Sequence, residues 1–170
     1  MIAIDLGSTG VKVAVVDDGG RVHAGAGEVL PVITTPDGGV EQDPNEWWAA
    51  IGRCTRRALD ASPLGGADIG LVAVTSQYTS TTAVDESGHA LTNTIMWMDR
   101  RGKHHNTAVD PDAVPRWLEI HGMPPSGNDD IGHVALIRAL WPDAYARTAA
   151  FVEPMDYVAG RLTGRVTATQ

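Results

Sequence analysis

The residues with the clearest chemistry lie within the first twelve positions of the 170-residue chain. A carboxylate closes an apolar run, a turn rich in glycine and hydroxyl groups follows, and a lysine begins a second apolar run. The segment reads Ile4-Asp5-Leu6-Gly7-Ser8-Thr9-Gly10-Val11-Lys12. A turn of this composition between two strands collects backbone amides, hydroxyls and one positive charge, which are the groups that bind a polyphosphate.

Each residue type has a defined use at a phosphate site. Gly7 and Gly10 allow a tight turn with accessible amides, and Ser8 and Thr9 add hydroxyl donors. Asp5 stands at the carboxyl end of a buried strand, where it can hold Mg²⁺ or the water ligands of Mg²⁺. Because the glycine spacing matches neither the P-loop nor the dinucleotide-binding fingerprint, a plain β-hairpin with a solvent-facing lysine remains open as the alternative.

Composition and charge exclude several classes of protein. An apolar fraction of 43% with scattered charges is typical of one globular domain. The formal net charge of −8 argues against nucleic acid or an anionic membrane as the main partner. The single cysteine, Cys54, excludes a disulfide within the chain. No apolar stretch approaches the ~20 residues of a membrane span, so we expect a soluble, cytoplasmic protein.

Turn chemistry predicts an antiparallel meander of three strands at the start of the chain. Two apolar runs flank the glycine turn, and Asp17-Asp18-Gly19-Gly20 has the composition of a hairpin loop before a third strand over Arg21–Leu30. A later run, Ile69–Val74, is almost continuously apolar and predicts a strand covered on both faces.

A helix is predicted between these strands. Asp43 is the expected N-cap, Pro44 occupies the first helical position, and Glu46 is placed to close a capping box. The apolar residues that recur at helical spacing are Trp47, Ala50, Ile51, Cys54 and Ala58. Three arginines, Arg53, Arg56 and Arg57, fall off this face and predict a solvated surface. Meander, helix and buried strand together predict an α/β layer fold.

Polar residues follow the predicted buried strand. Gln77, Tyr78 and Thr79 leave its carboxyl end, where open α/β sheets bind ligands. These three residues are therefore candidate substrate contacts, and the alternative is a polar loop without a ligand. The later elements are a second hairpin, a weak helix, a short strand and a last helix, over Thr81–Trp97, His133–Leu140, Ala149–Val152 and Pro154–Gly164.

The ordered set of motifs resembles the amino-terminal part of the FGGY carbohydrate kinases. The matching segments are Ile4–Thr9 with Lys12, Glu41–Trp48, Gln77, Ile95–Arg101, Pro154–Tyr157 and Leu162–Gly164, and they occur in the family's order over nearly the whole chain. The resemblance implies a ribonuclease H-like (actin-like ATPase) domain, incomplete here. In that fold an antiparallel three-strand meander is extended by parallel strands, with helices on both faces.

The resemblance also implies roles for individual residues at the phosphates. Asp5 would assist Mg²⁺ and the reacting phosphate, and the turn residues Gly7, Ser8 and Thr9, with Lys12, would contact the phosphates of ATP. The family's catalytic aspartate and adenosine-binding domain would lie beyond residue 170. Residues 1–170 would therefore form a truncated amino-terminal domain, with the carboxy-terminal half as a candidate partner chain.

The substrate would be bound by five residues that the resemblance singles out, namely Gln77, Tyr78, Thr79, Trp97 and Asp99. Trp97 corresponds to a tryptophan that packs on the polyol in some family members. Tyr78 and Thr79 depart from both the Gln-Met-His of xylulose kinases and the Gln-Arg-Glu of glycerol kinases. His133 stands where the family commonly has lysine.

These roles imply ATP- and Mg²⁺-dependent phosphorylation of a sugar or polyol hydroxyl, in the manner of a xylulose kinase. The 170-residue chain alone is expected to be an inactive portion of such an enzyme. The alternative hypothesis is a non-catalytic sugar-binding or regulatory remnant of a sugar kinase. An actin-like structural ATPase is disfavoured, because it has no use for Gln77 or for the segment Trp97–Arg101.

Overall fold

The computed structural model describes residues 1–105, 111–124 and 126–167. The strands are β1 Ile2–Gly7, β2 Gly10–Val16, β3 Val22–Val29, β4 Ile33–Thr34, β5 Val40–Gln42, β6 Val72–Ser76, β7 Thr82–Val84, β8 Thr94–Ile95 and β9 Ala150–Val152. The α-helices are α1 Pro44–Asp60, α2 Val114–His121, α3 Asp130–Leu140, α4 Pro142–Ala146 and α5 Pro154–Thr163. Short 3₁₀ turns occur at Gly66–Asp68, Arg101–His104 and Pro111–Ala113.

The main sheet has the strand order β3-β2-β1-β6. Strands β1, β2 and β3 pair antiparallel, as the turn chemistry predicts, and β6 adds a parallel neighbour to β1. The register places Asp5 of β1 opposite Lys12 of β2 on one side and opposite Thr75 of β6 on the other. The carboxylate and the lysine of the first turn are therefore cross-strand neighbours.

Helix α1 covers one face of this sheet. All five residues of its predicted apolar face are buried, and Trp47 packs edge-on against Tyr157 of α5 with ring centroids 6.2 Å apart. The predicted N-cap is confirmed, because the side chain of Asp43 accepts a hydrogen bond from the backbone N–H of Asn45 at 2.8 Å. This packing joins α1, α5 and the inner face of the meander in one core.

The side chains around α1 differ from the prediction in two respects. Glu46 forms an ion pair with Arg53 in place of the expected capping box. Arg53 also pairs with Glu28 of β3, and Arg57 donates to the carbonyl oxygen of Gly27 at 2.8 Å. Arg56 and Arg57 are exposed as predicted, whereas Arg53 is partly buried, because the neighbouring strand supplies an acceptor that the helix sequence alone does not reveal.

Strand β6 also departs from the prediction. It forms an edge of the main sheet, where the side chains of Leu71 and Val72 are exposed. Among the described helices, the two that pack on this sheet, α1 and α5, share one core and hence one face. An apolar run shows that a strand can be covered on both faces, whereas the cover itself must come from other segments.

A second layer is built from the short strands. Strand β5 pairs with β4 and β8, and β7 pairs with β9. The predicted second hairpin forms only isolated bridges, since β7 and β8 find their main partners elsewhere. The short strands share a second hydrophobic core with α3, which consists of Ala83, Ile95, Leu136 and Ile137. The last strand and helix form as predicted, and α5 is closed by Gly164 at φ 70°.

No helix in the part of the chain that the structure describes is long and apolar enough to cross a membrane.

Candidate functional site

The turn between β1 and β2 exposes its charged groups. Oδ2 of Asp5 lies 3.7 Å from Nζ of Lys12, and the two side chains are 50% and 81% exposed. The hydroxyl oxygen of Ser8 accepts a hydrogen bond from Nε1 of Trp97 at 3.0 Å. This geometry leaves the carboxylate and the ammonium group accessible to a ligand from solvent.

Gly10 is required by the close approach of two strands. A β-carbon at this position would lie 2.6 Å from the carbonyl oxygen of Glu28 in β3. The neighbouring carbonyl of Thr9 accepts from the backbone N–H of Leu30 at 3.1 Å. Gly10 therefore allows β3 to pack closely against the turn between β1 and β2, which we call the phosphate-type turn.

A buried chain of hydrogen bonds connects this turn to the end of β6. Nε1 of Trp47 and Nε2 of Gln77 both donate to Oε1 of Gln42 at 3.1 Å. Nε2 of Gln42 donates to the backbone oxygen of Ser8 at 3.0 Å. Gln42 is thus the central residue of the chain, and sequence reasoning did not identify it. A polar residue at the end of a short strand that precedes a helix cap was the available signal.

A cleft of about 480 Å³ opens beside this hydrogen-bonded chain. Four of the predicted substrate residues and one predicted phosphate residue line one side, namely Gln77, Tyr78, Thr79, Trp97 and Ser8. The residues that the sequence did not indicate are Trp117, His121, Met123, Ser126, Asn128, Asp129 and Asp130. The second group belongs to α2, to the start of α3 and to the segment that joins them, whose weak patterning carried no site signal.

Thr79 has an unusual backbone conformation at the cleft. Its φ of 53° lies in the left-handed region, which a β-branched residue rarely adopts. The carboxylate of Glu153 accepts from the backbone N–H of Ser80 at 3.3 Å. Burial and the nearby charge of Asp130 raise the pKa of Glu153 to about 7. Glu153 therefore supports the strained turn that carries the candidate substrate contacts.

Asp99 is held by contacts within the protein. Its side chain is fully buried, accepts from the backbone N–H of Val40 at 2.9 Å, and pairs with Arg101 at 2.7 Å. Arg101 also pairs with Glu41 at 2.6 Å. Asp99 does not line the cleft, because its oxygens hold the backbone and the arginine of the neighbouring segments. The contacts that the structure shows for Asp99 are structural, and a substrate contact at this residue stays a prediction.

The start of α3 and the residues just before it form a second wall of the cleft. Asp129 caps the helix by accepting from the backbone N–H of Gly132 at 2.9 Å. The hydroxyl of Thr81 donates to Oδ1 of Asp130 at 2.9 Å and lies 3.0 Å from Nδ1 of His133. Burial lowers the pKa of His133, which favours its neutral form.

Three glycines hold this wall against the segment that follows Trp97. A β-carbon on Gly102 or on Gly132 would overlap the backbone of Gly127, and one on Gly127 would overlap the backbone of Lys103. Main-chain atoms therefore touch directly at this junction. Close backbone contact at this junction therefore limits how far the two segments can approach each other.

Asp5 fits a metal ion that arrives with a ligand. Among the described residues, no group of three or more His, Cys, Asp or Glu side chains could hold a metal ion. Mg²⁺ usually keeps several waters and binds through one or two carboxylates together with substrate phosphates. One exposed carboxylate beside a turn of glycine and hydroxyl groups matches that requirement, whereas a protein cage for the metal is absent from these residues.

A mixed sheet that places a phosphate-type turn beside a polar cleft is an actin-like ATPase fold. The structure of a xyloylose kinase from Brucella ovis shares this fold, with a TM-score of 0.84 over 94% of this chain and 33% of that chain, at 24% sequence identity. This likeness confirms the fold class predicted from the motifs.

The sequence model of the amino-terminal domain of the FGGY family of carbohydrate kinases matches residues 1–170, and the chain belongs to that family. A xylulose kinase from Bacillus subtilis is 27% identical over 169 residues, which are 96% of this chain and 33% of that protein. A glycerol kinase from Acinetobacter baylyi is 33% identical over 125 residues, covering 72% of this chain and 25% of that protein. The chain thus spans about a third of the length of the curated xylulose kinases that it matches.

Proposed function

We propose that residues 1–170 form the amino-terminal domain of an ATP-dependent kinase that phosphorylates a hydroxyl of a sugar or polyol. The observation that carries the proposal is the position of Ser8. Its backbone oxygen is held by Gln42 and its hydroxyl oxygen by Trp97, so the phosphate-type turn forms the edge of the polar cleft. Family membership supports the same reaction class.

The phosphate side of the site consists of the first turn. Backbone amides at Gly7 and the hydroxyls of Ser8 and Thr9 would meet phosphate oxygens, and Lys12 would add positive charge. Asp5 would hold Mg²⁺ through its water ligands. When bound with ATP, Mg²⁺ neutralises negative charge on the phosphates as transfer proceeds.

The acceptor side consists of the cleft residues. Gln77 would accept a hydrogen bond from a substrate hydroxyl, Tyr78 and Thr79 would read neighbouring hydroxyls, and Trp97 would pack on the carbon skeleton. The indole N–H of Trp97 already donates a hydrogen bond to the hydroxyl oxygen of Ser8, which holds the indole ring in a fixed orientation. Phosphoryl transfer depends mostly on positioning and charge stabilisation, and this arrangement supplies part of both.

A binding experiment on the 170-residue polypeptide tests the proposal. Trp97 is 45% exposed in the cleft, so its fluorescence should change when a polyol binds. We expect weak affinity for xylitol or D-xylulose, about millimolar, and a tighter value when ATP and Mg²⁺ are present. Trp97→Phe should remove the part of the fluorescence change that Trp97 contributes, while Trp117 still lines the cleft and isothermal titration still detects binding.

Two results would decide between the alternatives. Sugar affinity that ATP and Mg²⁺ do not alter would favour a non-catalytic sugar-binding module. Absence of sugar binding in a folded polypeptide would contradict the proposal. We also expect no sugar-dependent release of ADP from residues 1–170 alone, because the proposed site includes no assigned base to receive the proton of the substrate hydroxyl.

A further inference from the structure

The lining of the cleft contains acidic side chains but no described lysine or arginine. The two carboxylates are those of Asp129 and Asp130. Arg101 is engaged with Asp99 outside the cleft. His121 also lines the cleft, and its ring stacks on the ring of Trp117 with the two centroids 3.9 Å apart. A ligand in the cleft therefore meets negative charge without a described cation to offset it.

The hydrogen-bond directions are also determined in the buried chain of Gln42, Trp47 and Gln77 beside the cleft, which we call the cleft floor. An indole N–H can only donate, so Trp47 fixes the amide of Gln42 with Oε1 towards the indole. Oε1 of Gln42 then requires a donor from Gln77, which fixes Nε2 of Gln77 in that contact. The remaining Oε1 of Gln77 is buried and has no partner in the described part of the chain.

Gln77 therefore offers a ligand an unpaired acceptor at Oε1. The side chain is 9% exposed, and an unpartnered buried carbonyl of this kind is costly unless a ligand donates to it. Trp117, which also lines the cleft, has a buried indole N–H without a described partner. A hydroxyl group can donate to the first atom and accept from the second, whereas a carboxylate cannot donate at all.

Asp130 carries the negative charge that a ligand would meet. Oδ1 accepts from the hydroxyl of Thr81, which fixes the side chain, and the residue remains exposed at the cleft. Asp129, in contrast, uses its oxygens on the backbone N–H groups of Gly132 and Ser126. The raised pKa of Glu153, caused by burial and then by Asp130, is consistent with a negative local field.

Resting on the proposed function, we propose that the cleft selects uncharged polyols or ketoses and rejects sugars that carry a carboxylate or phosphate, with Asp130 as the discriminating residue. An anionic sugar would lose hydration, face a carboxylate at short range and leave Oε1 of Gln77 unpaired at any position where its oxygens cannot donate. Repulsion of this kind is a common route to specificity. A neutral polyol meets acceptors with its hydroxyls and avoids the repulsion.

Isothermal titration of the 170-residue polypeptide with two matched ligands tests the proposal. D-xylonate and xylitol have the same carbon number and differ at one terminal group. We expect xylitol to bind at least about 10-fold more tightly than D-xylonate at low salt. Since exposed charges are screened over about 10 Å at 0.1 M salt, the ratio should fall as salt is added.

Two substitutions make the test specific to the cleft. Asp130→Asn keeps an acceptor for Thr81 and removes the charge, so the xylitol-to-xylonate ratio should fall by about 5-fold or more. Asp18→Asn removes an equal charge from the exposed loop between β2 and β3 and should leave the ratio unchanged. Amide NMR spectra of both variants establish that they are folded.

The outcomes separate the two proposals. Equal affinity for xylitol and D-xylonate, or a ratio that Asp130→Asn does not alter, would overturn the selectivity and leave the proposed kinase function standing. Failure of both ligands to bind to the folded polypeptide would contradict the proposed function, and the selectivity with it.

Discussion

The phosphate-type turn and the floor of the cleft are built in opposite ways. At the turn, Asp5 and Lys12 are largely exposed and joined by one long ion pair. At the floor, Gln42, Trp47 and Gln77 are buried and their hydrogen bonds form a chain with one consistent set of directions. Preorganised polar groups bind a ligand with less loss of conformational freedom. The acceptor side of the site is therefore prepared in advance, whereas the phosphate side relies on groups that water still solvates.

The largest difference should appear in folding stability when the floor is disrupted. Gln42→Leu leaves the indole N–H of Trp47, Nε2 of Gln77 and the backbone oxygen of Ser8 without their partner. Unpaired buried polar groups cost about 1 to 3 kcal/mol each, so we expect a loss of about 3 kcal/mol or more in the free energy of unfolding. Urea unfolding followed by tryptophan fluorescence measures this change.

Arg56→Leu is the control for that substitution, because Arg56 lies on the exposed side of α1. It should change the free energy of unfolding by no more than about 0.5 kcal/mol. Equal effects of the two substitutions would show that the hydrogen-bonded floor contributes nothing special to stability.

The next effect concerns the distance between the walls of the cleft. Gly102→Ala places a methyl group against the backbone of Gly127, which no rotamer can avoid. Overpacking of this kind typically costs about 1 to 3 kcal/mol, and here it should also weaken polyol binding, since the wall must move. Gly66→Ala, where the added carbon meets nothing within 4 Å, is the matched control. Unchanged polyol affinity in a folded Gly102→Ala variant would show that the wall position is unimportant.

A smaller, pH-dependent effect is expected at Glu153. The folded state holds a proton on this carboxyl up to about pH 7, whereas the unfolded state loses it near pH 4.5. The contribution of Glu153 to the free energy of unfolding therefore decreases as the pH rises from about 4.5 to 7. Above pH 7 the protein has lost the whole of this contribution. Glu153→Gln should be more stable than the wild type at pH 8 by about 1 to 2 kcal/mol, after allowance for solvent screening.

The difference between Glu153→Gln and the wild type should vanish near pH 4.5. His133 has the opposite dependence, because its lowered pKa costs stability as the pH falls below 6.5, and comparison with the wild type cancels this contribution. Glu86→Gln, in an exposed turn, is the matched control for this substitution. If the difference in stability between Glu153→Gln and the wild type were the same at every pH, it would contradict the raised pKa of Glu153.

The smallest effect on stability is expected at the phosphate-type turn. Asp5→Asn removes one half of an exposed ion pair, which is worth at most about 1 kcal/mol. Binding of ATP with Mg²⁺ should nevertheless weaken several-fold, because the candidate metal carboxylate is lost. Thermal unfolding and titration with ATP, with and without Mg²⁺, measure the two quantities. Loss of several kcal/mol of stability would show that this turn is as preorganised as the cleft floor.

The sequence predicted the features that depend on nearby residues. The glycine turn, the cap at Asp43, the apolar face of α1 and the last helix all depend on contacts within a few positions. Gln42 and Gln77 lie 35 positions apart, and nothing in either local pattern specifies that they share a hydrogen bond. The hydrogen bond between Asp99 and Val40 was missed for the same reason, since the two residues lie 59 positions apart.

The cleft illustrates the same limit. Gln77 and its two neighbours were found because they follow a strand, where α/β sheets bind ligands. Asn128 and Asp130 were missed because the wall that carries them is positioned by contact between backbones and by one hydrogen bond to Thr81. Coverage of β6 was overestimated, since an apolar strand does not specify which segments lie on it.

The contact of Gly102, Gly127 and Gly132 also limits how this site can change in evolution or by design. A pocket whose walls meet at touching backbones cannot be widened or narrowed in small steps at those positions, because even the smallest added side chain collides. Adaptation to longer or shorter sugar substrates would have to use exposed side chains that line the opening of the cleft, which we call its mouth, such as Tyr78 and Met123. Libraries aimed at a new acceptor length should therefore randomise the mouth and leave the glycines untouched.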